Sequence, residues 1–62
     1  MFKENLKVLR KVNNLSQQAL AEKLNVSFKT ISHWEMGYSE PSLFLLKKLK
    51  EVLNASYEEL LD

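Results

Sequence analysis

The chain has 62 residues, a formal net charge of +1, one glycine, one proline and no cysteine. This length is near the lower limit for an independent core and predicts a single domain, residues 1–62, while the lack of cysteine excludes disulfides and thiolate metal sites. Apolar residues make up 45% of the chain, which excludes a disordered tail. There is no apolar run of membrane-spanning length and no signal-peptide pattern, so we expect a cytoplasmic protein with no membrane partner.

The first predicted element is a helix from Phe2 to Asn13. One face, mainly apolar, carries residues at helical spacing, namely Phe2, Leu6, Leu9 and Asn13. Lysines four residues apart share another face, which we interpret as solvated. Arg10 differs from them, because it lies beside Leu6 at the edge of the apolar stripe.

The segment from Ser16 to Glu35 is predicted to form two short helices joined by a tight turn. Ser16 and Ser27 precede the two helices and are suited to cap them, since a serine oxygen can accept a hydrogen bond from a free backbone N–H. The turn requires a residue that tolerates positive φ, and Asn25 is predicted to fill that position.

The second of these helices has two contrasting faces. Ile31, Trp34 and Glu35 cluster on one side. The opposite side carries one basic, two hydrogen-bonding and two apolar side chains and no acid: Phe28, Lys29, Ser32, His33 and Met36. Such a mixture fits the major groove of DNA, where lysine and histidine can donate to guanine and apolar groups can touch a thymine methyl. It fits equally well a surface on which Phe28 and Met36 pack against protein.

Arg10 and Glu35 each lie next to the apolar stripe of their own helix. They carry opposite charges, so they could pair where the two helices meet. A partly buried pair of this kind adds little net stability, but removing one partner is costly. We therefore predict a structural salt bridge between them.

Two further helices are predicted in the last third of the chain. Gly37 ends the preceding helix, because it is free to adopt a left-handed conformation, and a loop follows to Pro41. Ser42 is predicted to cap a helix over Leu43–Leu53. Residues 56–59 match a capping box, which predicts a short fifth helix through Leu61. The fold class is therefore all-α, a compact five-helix bundle.

These motifs together resemble one family. The chain contains Leu-Ser-Gln-Gln-Ala-Leu-Ala-Glu-Lys-Leu, then Val-Ser, then Thr-Ile-Ser-His-Trp-Glu, then Pro-Ser-Leu. This pattern resembles the Cro/repressor-like helix-turn-helix family (xenobiotic-response-element type), which includes lambdoid phage repressors, and the likeness extends from about Leu6 to Leu61. It implies a lambda-repressor-like bundle whose third helix enters the major groove.

The resemblance also implies roles for individual residues. At the DNA backbone it implies contacts from Gln17, Gln18 and Ser27. At the bases it implies contacts from Phe28, Lys29, Ser32 and His33. Arg10 and Glu35 match a salt bridge that occurs in several family members. The chain departs from the family in Tyr38-Ser39-Glu40, where lysine or arginine is common.

The leading hypothesis is a sequence-specific transcriptional regulator that binds a palindromic operator as a homodimer. We expect it to be a repressor. The sequence does not identify the surface used for dimerisation, and the exposed aromatic residues Phe2, Phe44 and Tyr57 are candidates for it. The rival is a protein-interaction module, antitoxin-like or a regulatory partner, that kept the fold without strong DNA binding, as the low net charge and Glu40 would permit. We expect no enzyme, cofactor or metal site, since the single histidine has no catalytic partner on its helix face and no phosphate-binding glycine loop exists.

Overall fold

The computed structural model describes residues 1–62 and contains five α-helices: α1 (Phe2–Val12), α2 (Gln17–Leu24), α3 (Phe28–Met36), α4 (Leu43–Leu53) and α5 (Tyr57–Leu61). The predicted all-α, five-helix fold is confirmed. The first helix ends one residue earlier than predicted, because Asn13 leaves the helical conformation and its side-chain amide donates to the carbonyls of Leu9 and Leu53. None of the helices has the length and apolar character that a membrane span requires.

Serines begin four of the five helices. In each case the serine Oγ accepts a hydrogen bond from the backbone N–H three residues later, and the serines concerned are Ser16, Ser27, Ser42 and Ser56. In α5 the capping box is complete, because Glu59 also accepts from the backbone N–H of Ser56. These contacts satisfy donors that the helical ladder leaves free.

Left-handed residues end three helices and turn the chain. Asn25 (φ 57°), Gly37 (φ 80°) and Asn54 (φ 52°) follow α2, α3 and α4. Asn14 has the same conformation (φ 58°) between α1 and α2, which the sequence analysis did not predict. Asparagine tolerates this region better than other side chains do, so three of the four turns need no glycine.

The core joins all five helices through side chains that are fully buried: Leu6, Leu20, Leu24, Ile31, Leu49 and Leu60. α3 packs between α2 and α1, α4 packs on α2, and α5 closes the bundle against α1. The Asn5 amide donates to the Leu60 carbonyl and fixes α1 to α5. Phe2, a candidate for an exposed dimer surface, instead packs against the core, because α5 lies over the start of α1.

Candidate nucleic-acid interface

Helix α3 presents one face to the core and the other to solvent. Ile31 and Trp34 are buried against the other helices. The outward face carries the side chains predicted to meet bases, with Phe28 50% exposed, Lys29 exposed, and Ser32 and His33 partly exposed. This outward face of α3 has no acidic side chain, because the one acid of the helix, Glu35, points back toward α1.

The N-termini of α2 and α3 provide further polar groups. The Oγ of Ser16 and of Ser27 accept from backbone amides, and the Ser27 hydroxyl also lies 2.8 Å from the Thr30 hydroxyl. The first amides of each helix, at Gln17 in α2 and Phe28 in α3, have no backbone acceptor within the helix. Free amides at a helix start attract anions such as phosphate.

A buried ion pair lies where α1, α2 and α3 meet. The Arg10 guanidinium binds Glu35 with two hydrogen bonds, Nε to Oε2 at 2.6 Å and Nη2 to Oε1 at 3.1 Å. The Arg10 side chain is 10% exposed and the Glu35 side chain 4%. Arg10 Nη1 donates a third bond to the Leu15 carbonyl at 2.8 Å. The structure thus brings together the two residues whose pairing the helical faces predict.

Gln17 belongs to the same cluster, which the sequence analysis did not foresee. Its Nε2 donates to Glu35 Oε1 at 3.0 Å, so the side chain expected at phosphate is fixed against α3. A carboxamide has a second N–H and an oxygen, and both remain for another partner. Gln18, by contrast, is exposed and donates to Glu22 Oε2 at 3.3 Å along the outer side of α2.

The pKa of Glu35 is lowered from its ordinary value of 4.5. Burial is the largest single influence and acts in the opposite direction, because it disfavours the charged form. The hydrogen bonds from Arg10 and Gln17, together with the positive charges of Arg10 and Lys7, outweigh it. Glu35 is therefore ionised at neutral pH and fully engaged in the cluster.

One aromatic contact at the end of α3 was also missed from the sequence. The Tyr38 ring lies beside the His33 ring, with the centroids 5.6 Å apart and the planes at 60°. A signal for it exists in the sequence, because a residue that directly follows a helix-ending glycine often packs against the residue five positions before it. Tyr38 lies in the segment Tyr38-Ser39-Glu40, which departs from the lysine or arginine common in the family that the sequence resembles.

A family model described as Helix-turn-helix matches residues 6–60 of the chain. The chain is 42% identical over 60 residues to the HTH-type transcriptional activator BcrR of Enterococcus faecalis, covering 97% of this chain and 29% of that protein. It is 38% identical over 61 residues to the uncharacterized HTH-type transcriptional regulator YqaE of Bacillus subtilis, covering 98% of this chain and 53% of that protein.

A third relative is close to this chain in length. The uncharacterized HTH-type transcriptional regulator MJ0272 of Methanocaldococcus jannaschii is 40% identical over 59 residues, covering 95% of this chain and 89% of that protein. The chain thus spans 29% of the first relative, about half of the second and most of the third. No solved structure matched the chain. The chain has five helices, α3 lies beside α2 with one face exposed, and the family match covers nearly the whole chain. The chain therefore belongs to the Cro/repressor-like helix-turn-helix family of DNA-binding transcription regulators.

Proposed function

We propose that residues 1–62 form a domain that binds double-stranded DNA sequence-specifically and thereby regulates transcription. The observation that carries the proposal is the outward face of α3, which is exposed, polar in part and free of acid. A helix with these properties can enter the major groove and meet base edges. The family of the chain and the names of its relatives point to the same function.

The proposed division of labour follows from where the side chains lie. Lys29 and His33 are one helical turn apart on α3, so both can reach base edges along one strand, and Phe28 can add an apolar contact to a thymine methyl. Gln17, Gln18 and Ser27 lie at the starts of α2 and α3, where free amides favour phosphate. Phosphate contacts fix the docking position, and base contacts select the sequence.

We further propose that two copies bind a palindromic operator, with half-site centres about one helical turn (~34 Å) apart. Repression is the proposed direction, because occupying a promoter is enough to block transcription, although one relative is named an activator. The proposal includes a cytoplasmic location, where the protein meets its DNA.

The test begins with in-vitro selection of bound sequences from random duplexes. A recovered palindrome would report both the specificity and the pairing of two copies. The wild-type protein should then bind the selected duplex with an affinity that falls steeply with salt, because bound phosphates release counterions. No binding even at low salt would refute the proposal and favour the protein-interaction module.

Single-base variants of the operator assign the individual residues. Lys29→Ala and His33→Ala should each cost about 1–3 kcal/mol at one base position and relax the preference there. Gln17→Ala should weaken all duplexes about equally. Because Gln17 also donates to Glu35, the folded fraction of this variant must be checked by circular dichroism. Lys47→Ala, on the exposed side of α4, is the control for a general loss of positive charge.

A further inference from the structure

Tyr38 and His33 form an aromatic pair at the C-terminal end of the DNA-facing helix. Their ring centroids are 5.6 Å apart and the planes are inclined at 60°, an edge-to-face geometry that aromatic pairs favour. Tyr38 is 73% exposed, so its ring is not part of the core and the contact with His33 is a surface contact. The rest of the outward face of α3 has no comparable aromatic pair. Lys29 on this face makes no hydrogen bond or ion pair with another side chain.

The backbone at the end of α3 places the two residues side by side. The Tyr38 N–H donates to the His33 carbonyl at 2.9 Å, and the Gly37 N–H donates to the Trp34 carbonyl at 3.2 Å. With Gly37 at φ 80°, these bonds form a Schellman motif, in which the residue after the glycine packs against the residue that its N–H bonds. The backbone position of Tyr38 is therefore set by the helix end, which brings its ring within reach of His33 without help from another element.

We propose that Tyr38 is a positioning residue for base recognition, its ring holding the His33 imidazole in one orientation toward the DNA. The proposal rests on the proposed function, because it assumes that His33 meets a base. A surface histidine without such a neighbour samples several rotamers, and only some of them reach a given base edge. Restricting the ring before binding lowers the entropy lost on binding and strengthens the contact with the correct base.

The same geometry separates the tasks of His33 and Lys29. His33 has the Tyr38 ring against it, which suits a directional hydrogen bond to one base. Lys29 is flexible and near the start of α3, so it can turn from a base edge to a phosphate. We therefore expect the sharpest base preference at the position that His33 reads, and we expect that preference to depend on Tyr38.

The ring contact can be tested without DNA. His33 is the only histidine of the chain, so its ring resonances in an NMR spectrum are unambiguous. Tyr38→Ala should shift these resonances, because the ring current of Tyr38 is lost, whereas Tyr38→Phe should leave them close to the wild type. Tyr57→Ala removes the other tyrosine, which lies on α5, and is the matched control. Unchanged His33 resonances in Tyr38→Ala would overturn the proposal.

The effect on recognition is measured with the panel of single-base operator variants. An aromatic pair of this kind corresponds to a factor of about 2–10 in an equilibrium constant. Tyr38→Ala should reduce discrimination by that factor at the base position that His33→Ala also relaxes, and at no other. Tyr38→Phe should retain the wild-type preference. In a His33→Ala background, Tyr38→Ala should have no further effect at that base.

Each contrary result has a separate meaning. Equal weakening on all duplexes by Tyr38→Ala would show a phosphate contact and overturn the proposal. A Tyr38→Phe variant that behaves like Tyr38→Ala would show that the hydroxyl acts instead of the ring, with the same consequence. If the wild type is specific and Tyr38→Ala leaves it unchanged, only this inference fails. If the wild type binds no duplex, the proposed function fails and base positioning by Tyr38 fails with it.

Discussion

Removing one partner of the Arg10–Glu35 pair should destabilise the protein more than removing both. In Arg10→Met, the Glu35 carboxylate stays buried with Gln17 as its remaining donor, and the Leu15 carbonyl loses its bond from Arg10. A buried charge left without its partner costs about 3–5 kcal/mol. A domain of this size has a total stability of roughly 3–9 kcal/mol. The single substitution should therefore remove a large share of that stability, leaving roughly 2 kcal/mol at the midpoints of the two ranges.

The double variant Arg10→Met/Glu35→Leu should recover most of that loss. It buries no charge, and replacing an ion pair by apolar groups of similar size is often neutral. The Leu15 carbonyl and the Gln17 amide still lose a partner, at about 1 kcal/mol each. We therefore expect the free energy of unfolding of the double variant to be roughly 2 kcal/mol lower than that of the wild type and clearly higher than that of either single variant.

Urea unfolding followed by circular dichroism at pH 7 measures the four free energies of unfolding. Arg10→Lys is a milder variant that keeps the charge and loses the two-pronged geometry, so it provides a folded reference if Arg10→Met is too unstable to analyse. Lys47→Met and Glu51→Leu, exposed and one turn apart on α4, form a control cycle that should be additive within about 0.5 kcal/mol. Additive losses below about 1 kcal/mol at Arg10 and Glu35 would refute the reasoning, because they would mean that solvent screens both charges.

Three further predictions concern acid and helix ends. Folding lowers the pKa of Glu35, so the ionised carboxylate stabilises the folded state above the ordinary pKa of 4.5, and this stabilisation is lost as the pH falls through the pKa of the folded state. Urea melts at successive pH values should therefore show that acid destabilises the wild type more than the double variant. Ser27→Ala should cost about 1 kcal/mol in thermal unfolding, because α3 loses its cap, whereas Ser27→Gly should cost only a few tenths. Gly37→Ala should cost about 1 kcal/mol or more in the same assay, because φ is 80° and the new Cβ would lie 3.1 Å from Lys3 Cδ. Gly37→Asn should cost less, because asparagine tolerates positive φ.

Helix boundaries could be predicted from the sequence because their determinants are local. A serine before an apolar stripe and a glycine or asparagine after it specify the start and end of a helix without knowledge of any other element. The outward face of α3 was predictable for the same reason, since it depends only on helical spacing. The pairing of Arg10 with Glu35 needed one further assumption, that the apolar stripes of α1 and α3 face each other.

Contacts that depend on a third element were not predictable. Gln17 reaches Glu35 because α2 begins at the junction of α1 and α3, and no pattern within α2 indicates which neighbour lies there. Phe2 was expected to be exposed and is partly buried, because α5, far away in sequence, packs over α1. The contact between Tyr38 and His33 is a different case, because it is local and the glycine that ends α3 signals it, but helical spacing alone does not describe the turn that Gly37 makes.

The junction at Glu35 limits how freely α2 and α3 could be transplanted. α2 and α3 lie next to each other in the chain and resemble a self-contained cassette, yet the carboxylate at the end of α3 is neutralised by an arginine that belongs to α1. A graft of residues 16–37 into another scaffold would carry the acid without its counterion, and that acid would then face the same side of the cassette as Gln17. Any useful exchange of binding specificity between members of this family should therefore move α1 together with the two helices, or replace only the outward side chains of α3.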